Sequence, residues 1–241
     1  MRPLATTAVA AVAALASALP AVAAPATPTR PGAPTAGITW TGRLVAPATA
    51  RTAPDPGAGA VTVVQPVAPL GGGATILQIT AVTGGADGRR WARVRLPVRP
   101  NGAQGWLPVD VMRLNTNRLR IRVDLSRRTL ELFRAGVRVS RITVAVGTRQ
   151  NPTPTGRFAV AEIIRTHDRG GFLGPVVFPL TAFSETLNEY AGGNGRVALH
   201  GTSLPALLGT RASHGCVRIH NRDVVRLARV VRPGTPVDIV P

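Results

Sequence analysis

Arg196-Val-Ala-Leu-His200-Gly201-Thr202 and, starting eleven residues after that threonine, Ser213-His214-Gly215-Cys216-Val217-Arg218 are the two segments from which the rest of the chain is best read. Val197 to Leu199 is an apolar run of the kind that forms a buried strand, and its end delivers His200. Val217 to Ile219 reads as a second buried strand that starts at Cys216. If the two strands are neighbours, an imidazole and a thiol sixteen residues apart in sequence meet at one place.

Cys216 is the only cysteine, so no internal disulfide can form and the residue is either a free thiol or one half of an intermolecular bridge. Taken alone, such a residue is most often a small buried hydrophobe, and a lone histidine at a strand end is most often structural. The pairing of the two segments changes that weighting. A free thiol, with a pKa of about 8.5, is only a few per cent ionised at neutral pH, and a neighbouring imidazolium lowers that pKa to roughly 3.5 to 7.5. His200 would serve Cys216 as base and then as acid toward a departing amine. Gly215 lets a substrate approach closely, and the N–H groups of Gly215 and Cys216 are candidate donors to a tetrahedral oxyanion. Arg218 is placed to clamp a substrate carboxylate with its guanidinium. A zinc site built from His200, His214, Cys216 and His220 is disfavoured, because no Cys-x-x-Cys or His-Glu-x-x-His pattern occurs. No metal is therefore expected. His167 and His220 are read as surface or local structural residues.

Outward from these segments, alternating runs predict strands at Leu119–Val123, Thr129–Phe133, Val137–Val146, Arg157–Ile164 and Pro236–Val240. Ala135-Gly136 marks a tight hairpin turn. One helix is predicted over Arg222–Val231, capped by Asn221 and stopped by Pro233-Gly234, with Val224, Leu227, Ala228 and Val231 as its apolar stripe. Residues 118–241 thus read as a mainly β domain with a C-terminal helix.

Residues 60–115 read as a separate small all-β barrel, with strands near Val61–Val64, Thr75–Thr80 and Trp91–Leu96 between glycine-rich turns. Trp91 and Gly105-Trp106-Leu107 resemble the bacterial SH3-like domain, with core packing as the expected role of both tryptophans. Residues 25–59, proline-spaced from Pro25 to Ala36 and rich in breakers from Ala46 to Gly59, read as a linker. Residues 1–24 read as a signal peptide: Arg2, then an apolar run from Leu4 to Leu19, then Ala21-Val22-Ala23. Export is therefore expected, with no stable membrane insertion after cleavage, because the run is short, alanine-rich and broken by Pro20.

The net charge of +18 comes entirely from arginine, 29 of them against 11 acidic residues, with no lysine. Such a charge favours polyanions, and export removes nucleic acid as the obvious partner, leaving anionic cell-wall polymers, peptidoglycan carboxylates, anionic lipid surfaces or a merely solubilising surface.

His-Gly-Thr followed by Ser-His-Gly-Cys-Val-Arg at this spacing resembles the signature of the YkuD-type L,D-transpeptidases, and the resemblance extends over Leu119 to Val240. It includes Asn151-Pro-Thr-Pro-Thr-Gly-Arg-Phe158, Gly192-Gly-Asn-Gly195 and Gly234-Thr-Pro-Val-Asp-Ile239. It implies Cys216 as nucleophile, His200 as general base and acid, and the Gly201 carbonyl as the group that orients the imidazole. Ser213, His214, Gly215 and Arg218 would line the site. The implied reaction is acyl transfer without a cofactor. A peptidoglycan tetrapeptide stem loses its terminal D-alanine to form a thioester, and an amine of a second stem resolves it, in the cell wall or a periplasm-like space. Water or a protein amine as acceptor would make the same chemistry a carboxypeptidase or a protein-attachment reaction. A non-catalytic wall-binding protein is the rival of another class. The segment from Arg165 to Gly195 is the least diagnostic part.

Overall fold

The segments ahead of residue 118 pair into one antiparallel sheet that starts earlier in the chain than their composition indicates. A computed structural model describes residues 37–190 and 192–241. The signal peptide and the first part of the linker lie outside the described residues. The sheet comprises β1 (Thr39–Leu44), β2 (Ala48–Arg51), β3 (Ala60–Val64), β4 (Ile76–Gly84), β5 (Arg90–Arg95), β6 (Gln104–Pro108) and β7 (Met112–Asn117), in the order β3-β2-β6-β5-β4-β1-β7. Leu44, Ala50, Val64, Leu77, Ile79, Val94, Leu107 and Met112, drawn from all seven strands, form one buried cluster, so the sheet curls around a single core.

The expected linker over 25–59 is thereby corrected. β1 and β2 lie inside it, and only the hairpin loop closed by Thr52 N–H to the Gly59 carbonyl (2.9 Å) is left as connection before β3. Ala-Thr-Ala-Arg carries almost no apolar pattern; β2 is held by backbone pairing to β3 and β6, with Ala50 fully buried. Trp91 is buried and donates its indole N–H to Asp87 at 3.0 Å. Trp106 is only partly buried, with the Arg93 guanidinium 5.7 Å from its ring.

The second half of the chain builds two main sheets. The first contains β8 (Leu119–Asp124), β9 (Thr129–Arg134) and β10 (Val137–Thr143), with β12 (Gly156–Ala159) and β18 (Pro236–Val240), in the order β10-β9-β8-β18-β12. β9 and β10 join through Ala135 (φ 49°) and Gly136 (φ 85°), two consecutive left-handed residues as a twist-matched two-residue turn requires. The second sheet has the order β13-β14-β15-β17, from β13 (Ile164–Arg165), β14 (Val176–Phe183), β15 (Arg196–His200) and β17 (Val217–Arg218). A short parallel pair, β11 (Val146–Gly147) with β16 (Arg211–Ser213), lies beside it.

Between the two sheets sits one apolar core. Ile121, Val123, Leu130, Leu132, Phe158, Val237 and Ile239 come from the first sheet, and Val176, Phe178, Leu180, Val197, Leu199 and Val217 from the second. The helix α1 (Asn221–Val230) adds Val224, Leu227 and Ala228. Two predicted strands are each split, because the chain changes sheets part-way. After Ala159, the Val160 N–H turns to the Thr235 carbonyl (2.9 Å) and the Ala161 N–H to that of Pro179 (2.8 Å), so β12 and β13 belong to different sheets. β14 was not predicted. All eight of its residues are buried, which removes the alternation that marks a half-buried strand, and Pro179 interrupts it.

The two halves share a polar interface. The Asn101 amide donates to the Phe183 carbonyl and accepts from the Phe183 N–H, each at 2.8 Å. The Arg99 guanidinium donates to the Ser184 carbonyl at 2.8 Å, and buried Glu162 accepts from the Gly71 N–H at 2.7 Å. These bonds tie the end of β14, the segment after it and the link between β12 and β13 to the N-terminal half.

Candidate active site

Strand alternation places the site. Val197 and Leu199 on β15, and Val217 with Ile219 in and just beyond β17, point into the core. Ala198 and His200, and Cys216 and Arg218, therefore share the opposite face. β15 and β17 are adjacent and parallel, with Leu199 opposite Val217 and His200 opposite Arg218. Parallel partners project to the same side, so Arg218 is the direct neighbour of His200 and Cys216 the diagonal one. The two motif segments thus bring His200, Cys216 and Arg218 onto one face.

The His200 imidazole is almost fully buried at 1% exposure, and its Nδ1 lies 2.6 Å from the Gly201 carbonyl oxygen. A carbonyl only accepts, so Nδ1 carries the hydrogen and Nε2 is the basic nitrogen of the neutral ring. Gly201 is a glycine because the backbone packs here. A side chain would strike Asn221 Oδ1 and the Gly174 Cα. Asn221 Oδ1 itself accepts from the Thr202 N–H at 2.8 Å. Sequence reasoning assigned Asn221 as the helix cap; the cap is instead His220, whose Nδ1 accepts from the Arg222 N–H at 3.2 Å. Asn221 is thereby released to hold the loop that follows the imidazole.

Ser213 braces the Cys216 turn from within. Its buried hydroxyl donates to the Cys216 carbonyl at 2.5 Å and accepts from the Gly215 N–H at 3.2 Å. Gly215 has φ 116°, a backbone state that a side chain would strain. The bond to Ser213 occupies one of the two N–H groups expected to face an oxyanion. The Cys216 N–H, by contrast, has no acceptor among the described residues. The Asn151-Pro-Thr153 segment packs behind this turn: Gly147 N–H donates to Thr153 Oγ1 (2.9 Å), and Thr148 N–H to the Ser213 carbonyl (3.0 Å).

His214 stands apart from His200 and Cys216. It is exposed and stacks on Tyr190 with ring centroids 4.5 Å apart. Arg218 is 5% exposed, its Nε makes no hydrogen bond, and its guanidinium lies 4.8 Å from the Phe172 ring. Phe172 also approaches His200, at 5.9 Å between centroids. Phe172 and Tyr190 were missed by sequence reasoning, since both lie in the segment from 165 to 195 that carries no repeating pattern.

Burial dominates the electrostatics. It pushes the His200 pKa down to about 4, opposed by the Gly201 carbonyl, reinforced by the charge of Arg218 and opposed again by the Leu173 carbonyl. It pushes the Cys216 thiol up, against a backbone hydrogen bond at Ala198 and the positive charge of Arg218. With the imidazole pushed down and the thiol pushed up, both groups are neutral at pH 7, in place of the expected imidazolium beside a thiolate.

A stability effect follows from His200. Its folded pKa of about 4 lies below the unfolded value of 6.5, so below pH 6.5 the unfolded chain binds a proton that the folded chain refuses. The stabilisation is full above pH 6.5 and is lost as the pH falls toward 4, by about 3 kcal/mol in all. Urea unfolding at pH 7 and pH 4.5 should show a smaller acid loss in His200→Gln than in the parent chain. Equal losses would contradict the neutral buried imidazole.

Comparison with known proteins agrees with this geometry. The family model for the L,D-transpeptidase catalytic domain, YkuD, matches residues 118–239. The chain is 37% identical over 122 residues to a candidate L,D-transpeptidase named YkuD from Bacillus licheniformis, covering 51% of this chain and 66% of that protein. It is 35% identical over 119 residues to the protein of the same description in Bacillus subtilis, covering 49% and 64%. The chain thus spans slightly less than two-thirds of the length of these curated relatives. A solved structure of L,D-transpeptidase 3 from Mycobacterium tuberculosis with a faropenem-derived adduct is 13% identical, with a TM-score of 0.44 over 69% of this chain and 91% of that one. That likeness is too distant to carry a functional argument.

Proposed function

Because the chain belongs to the YkuD family of L,D-transpeptidases, we propose that it is an exported, cysteine-dependent acyltransferase that cross-links peptidoglycan peptide stems. The observation that carries this reading is the shared face of β15 and β17, where His200, Cys216 and Arg218 project away from the core. Cys216 Sγ attacks the carbonyl at the L-centre of a tetrapeptide stem while His200 Nε2 takes the thiol proton, so that no free thiolate accumulates. The Cys216 N–H, unengaged by any described residue, donates to the oxygen of the tetrahedral intermediate. When the C–N bond breaks, His200 returns the proton to the departing D-alanine nitrogen, leaving a thioester on Cys216. An amine of a second stem then attacks, His200 accepts its proton, and the C–S bond breaks to restore the thiol. The unpartnered Nε of buried Arg218 takes a carboxylate of the stem.

Acyl exchange of this kind moves protons and one acyl group, so it requires no cofactor and no metal. Residues 1–24 direct export. The N-terminal sheet, read as SH3-like, holds the catalytic half on the wall through its polar interface, and the arginine-rich surface favours anionic wall polymers.

The test is product analysis. Purified chain is incubated with disaccharide-tetrapeptide alone and with a second stem that carries a free side-chain amine. The expected products are free D-alanine and, in the second case, a dimer joined between L- and D-centres as the major species. Tripeptide alone in both cases would make water the acceptor. Retention of D-alanine at every pH from 5 to 8 would overturn the enzyme reading in favour of a wall-binding protein.

A further inference from the structure

The outer face of the first sheet of the catalytic half carries a feature that the acyl-transfer reading does not use. A cavity of about 600 Å³ opens there, lined by Arg118, Arg120, Arg122, Arg157, Phe133 and Asp238, and none of the site residues described above contributes to it. Its size is that of an ordinary small-ligand pocket.

The register explains why so many guanidiniums gather. Ile121, Val123, Val237, Ile239 and Phe158 face the core, so their neighbours Arg120, Arg122, Asp238 and Arg157 face outward. Asp238 pairs with Arg122 on one side and with Arg157 on the other. Three adjacent strands thus carry the row Arg122, Asp238, Arg157, with the two arginines about 10 Å apart at the backbone. The single carboxylate of the cavity is engaged by a third arginine, Arg120, at 3.3 Å. Glu131, the acid on the far side of Arg122, is engaged by Arg138 at 2.7 Å. Arg118, Arg122 and Arg157 make no side-chain hydrogen bond or ion pair with any described residue. Behind them, Arg95 of β5 is buried, which lowers its pKa, and the charge of Arg157 lowers it further. Positive charge is therefore concentrated at the junction of the two halves, with Asp238 the one carboxylate among four arginines of the cavity. Phe133 adds an apolar wall, and Thr39 of β1 helps to close the cavity from the N-terminal sheet.

We propose that this cavity is a binding site for an oligoanion, a ligand with at least two phosphate or carboxylate groups spaced to bridge Arg122 and Arg157. Guanidiniums bind both groups in the same forked geometry, so the arginines define the charge and the spacing while the source is left to measurement. The proposal gives the charge-based affinity for wall polymers a defined place, and it stands apart from the chemistry at Cys216.

Titration calorimetry with the purified chain at low salt, using inorganic tripolyphosphate and citrate as probes, tests it. The parent chain should bind at least one probe. Arg122→Gln/Arg157→Gln should weaken that binding at least tenfold, while Arg113→Gln/Arg229→Gln, with the same loss of charge on exposed residues outside the cavity, should stay within twofold. The better probe names the phosphate or the carboxylate source. Arg157→Gln alone should give an intermediate loss, and thermal midpoints without probe show that the variants are folded. Equal weakening in the two double variants, or no binding by the parent chain, would overturn the site. D-alanine release from a soluble tetrapeptide should be the same in Arg122→Gln/Arg157→Gln as in the parent; if the parent itself releases none, the enzyme reading fails while the binding result still stands.

Discussion

Cys216→Ser is expected to lower D-alanine release from a tetrapeptide stem by on the order of 10⁴-fold or more, with a urea midpoint close to that of the parent chain. The substitution exchanges one atom on a half-buried side chain and leaves the Ser213 hydroxyl bonded to the carbonyl of residue 216, so the turn persists. What changes is the proton. A hydroxyl is far harder to deprotonate than a thiol, and its only base is an imidazole that burial has already pushed down to about 4. Steady-state release measured by coupled assay, with unfolding curves run in parallel, separates loss of chemistry from loss of fold. Retained activity above about one hundredth of the parent would remove Cys216 from the mechanism.

His200→Gln should cost about 10³- to 10⁴-fold and, more tellingly, should change the shape of the pH profile. In the parent, kcat/KM requires neutral His200, so its acid limb should fall near pH 4 and activity should be nearly level from pH 5.5 to 7. An ordinary exposed histidine would place that limb near 6.5. In the variant no imidazole takes the thiol proton, and only the ionised fraction of Cys216 reacts. Because burial raises that thiol pKa, the residual rate should climb about tenfold per pH unit through at least pH 8. A parent limb near 6.5, or a variant whose residual rate is flat with pH, would contradict the neutral pair.

How far the sequence reaches is shown by the elements around this site. The strands ending at His200 and starting near Cys216 were legible because each is a short apolar run attached to a chemically distinctive residue, and the core faces of β8, β9 and β18 were legible from alternation. β14 was not, because a strand buried on both faces loses its period. β1 and β2 were hidden by proline-rich surroundings and small residues, although backbone pairing holds them in register. The turn chemistry at Ala135-Gly136 was legible; the exchange of roles between His220 and Asn221 was not, since either side chain can accept from the first helical N–H groups and only the nearby Thr202 N–H decides between them. Phe172 and Tyr190 carry no local signal at all, because their contacts with His200, Arg218 and His214 arise from the paths of the two loops that flank β14. Electrostatics was the least legible property. A histidine beside a cysteine suggests an ion pair, and only the desolvation of the two groups in the folded chain reverses that expectation.

The central claim is that the acyl group passes through Cys216. Its most direct test is the mass of the protein itself, acid-quenched during turnover of a tetrapeptide stem and then mapped by proteolysis. The expected result is a population heavier by the donor stem minus D-alanine, carried on the peptide containing Ser213 to Arg218, and absent from Cys216→Ser. Continued release of D-alanine with no adduct on that peptide, or with the adduct on another residue, would contradict it.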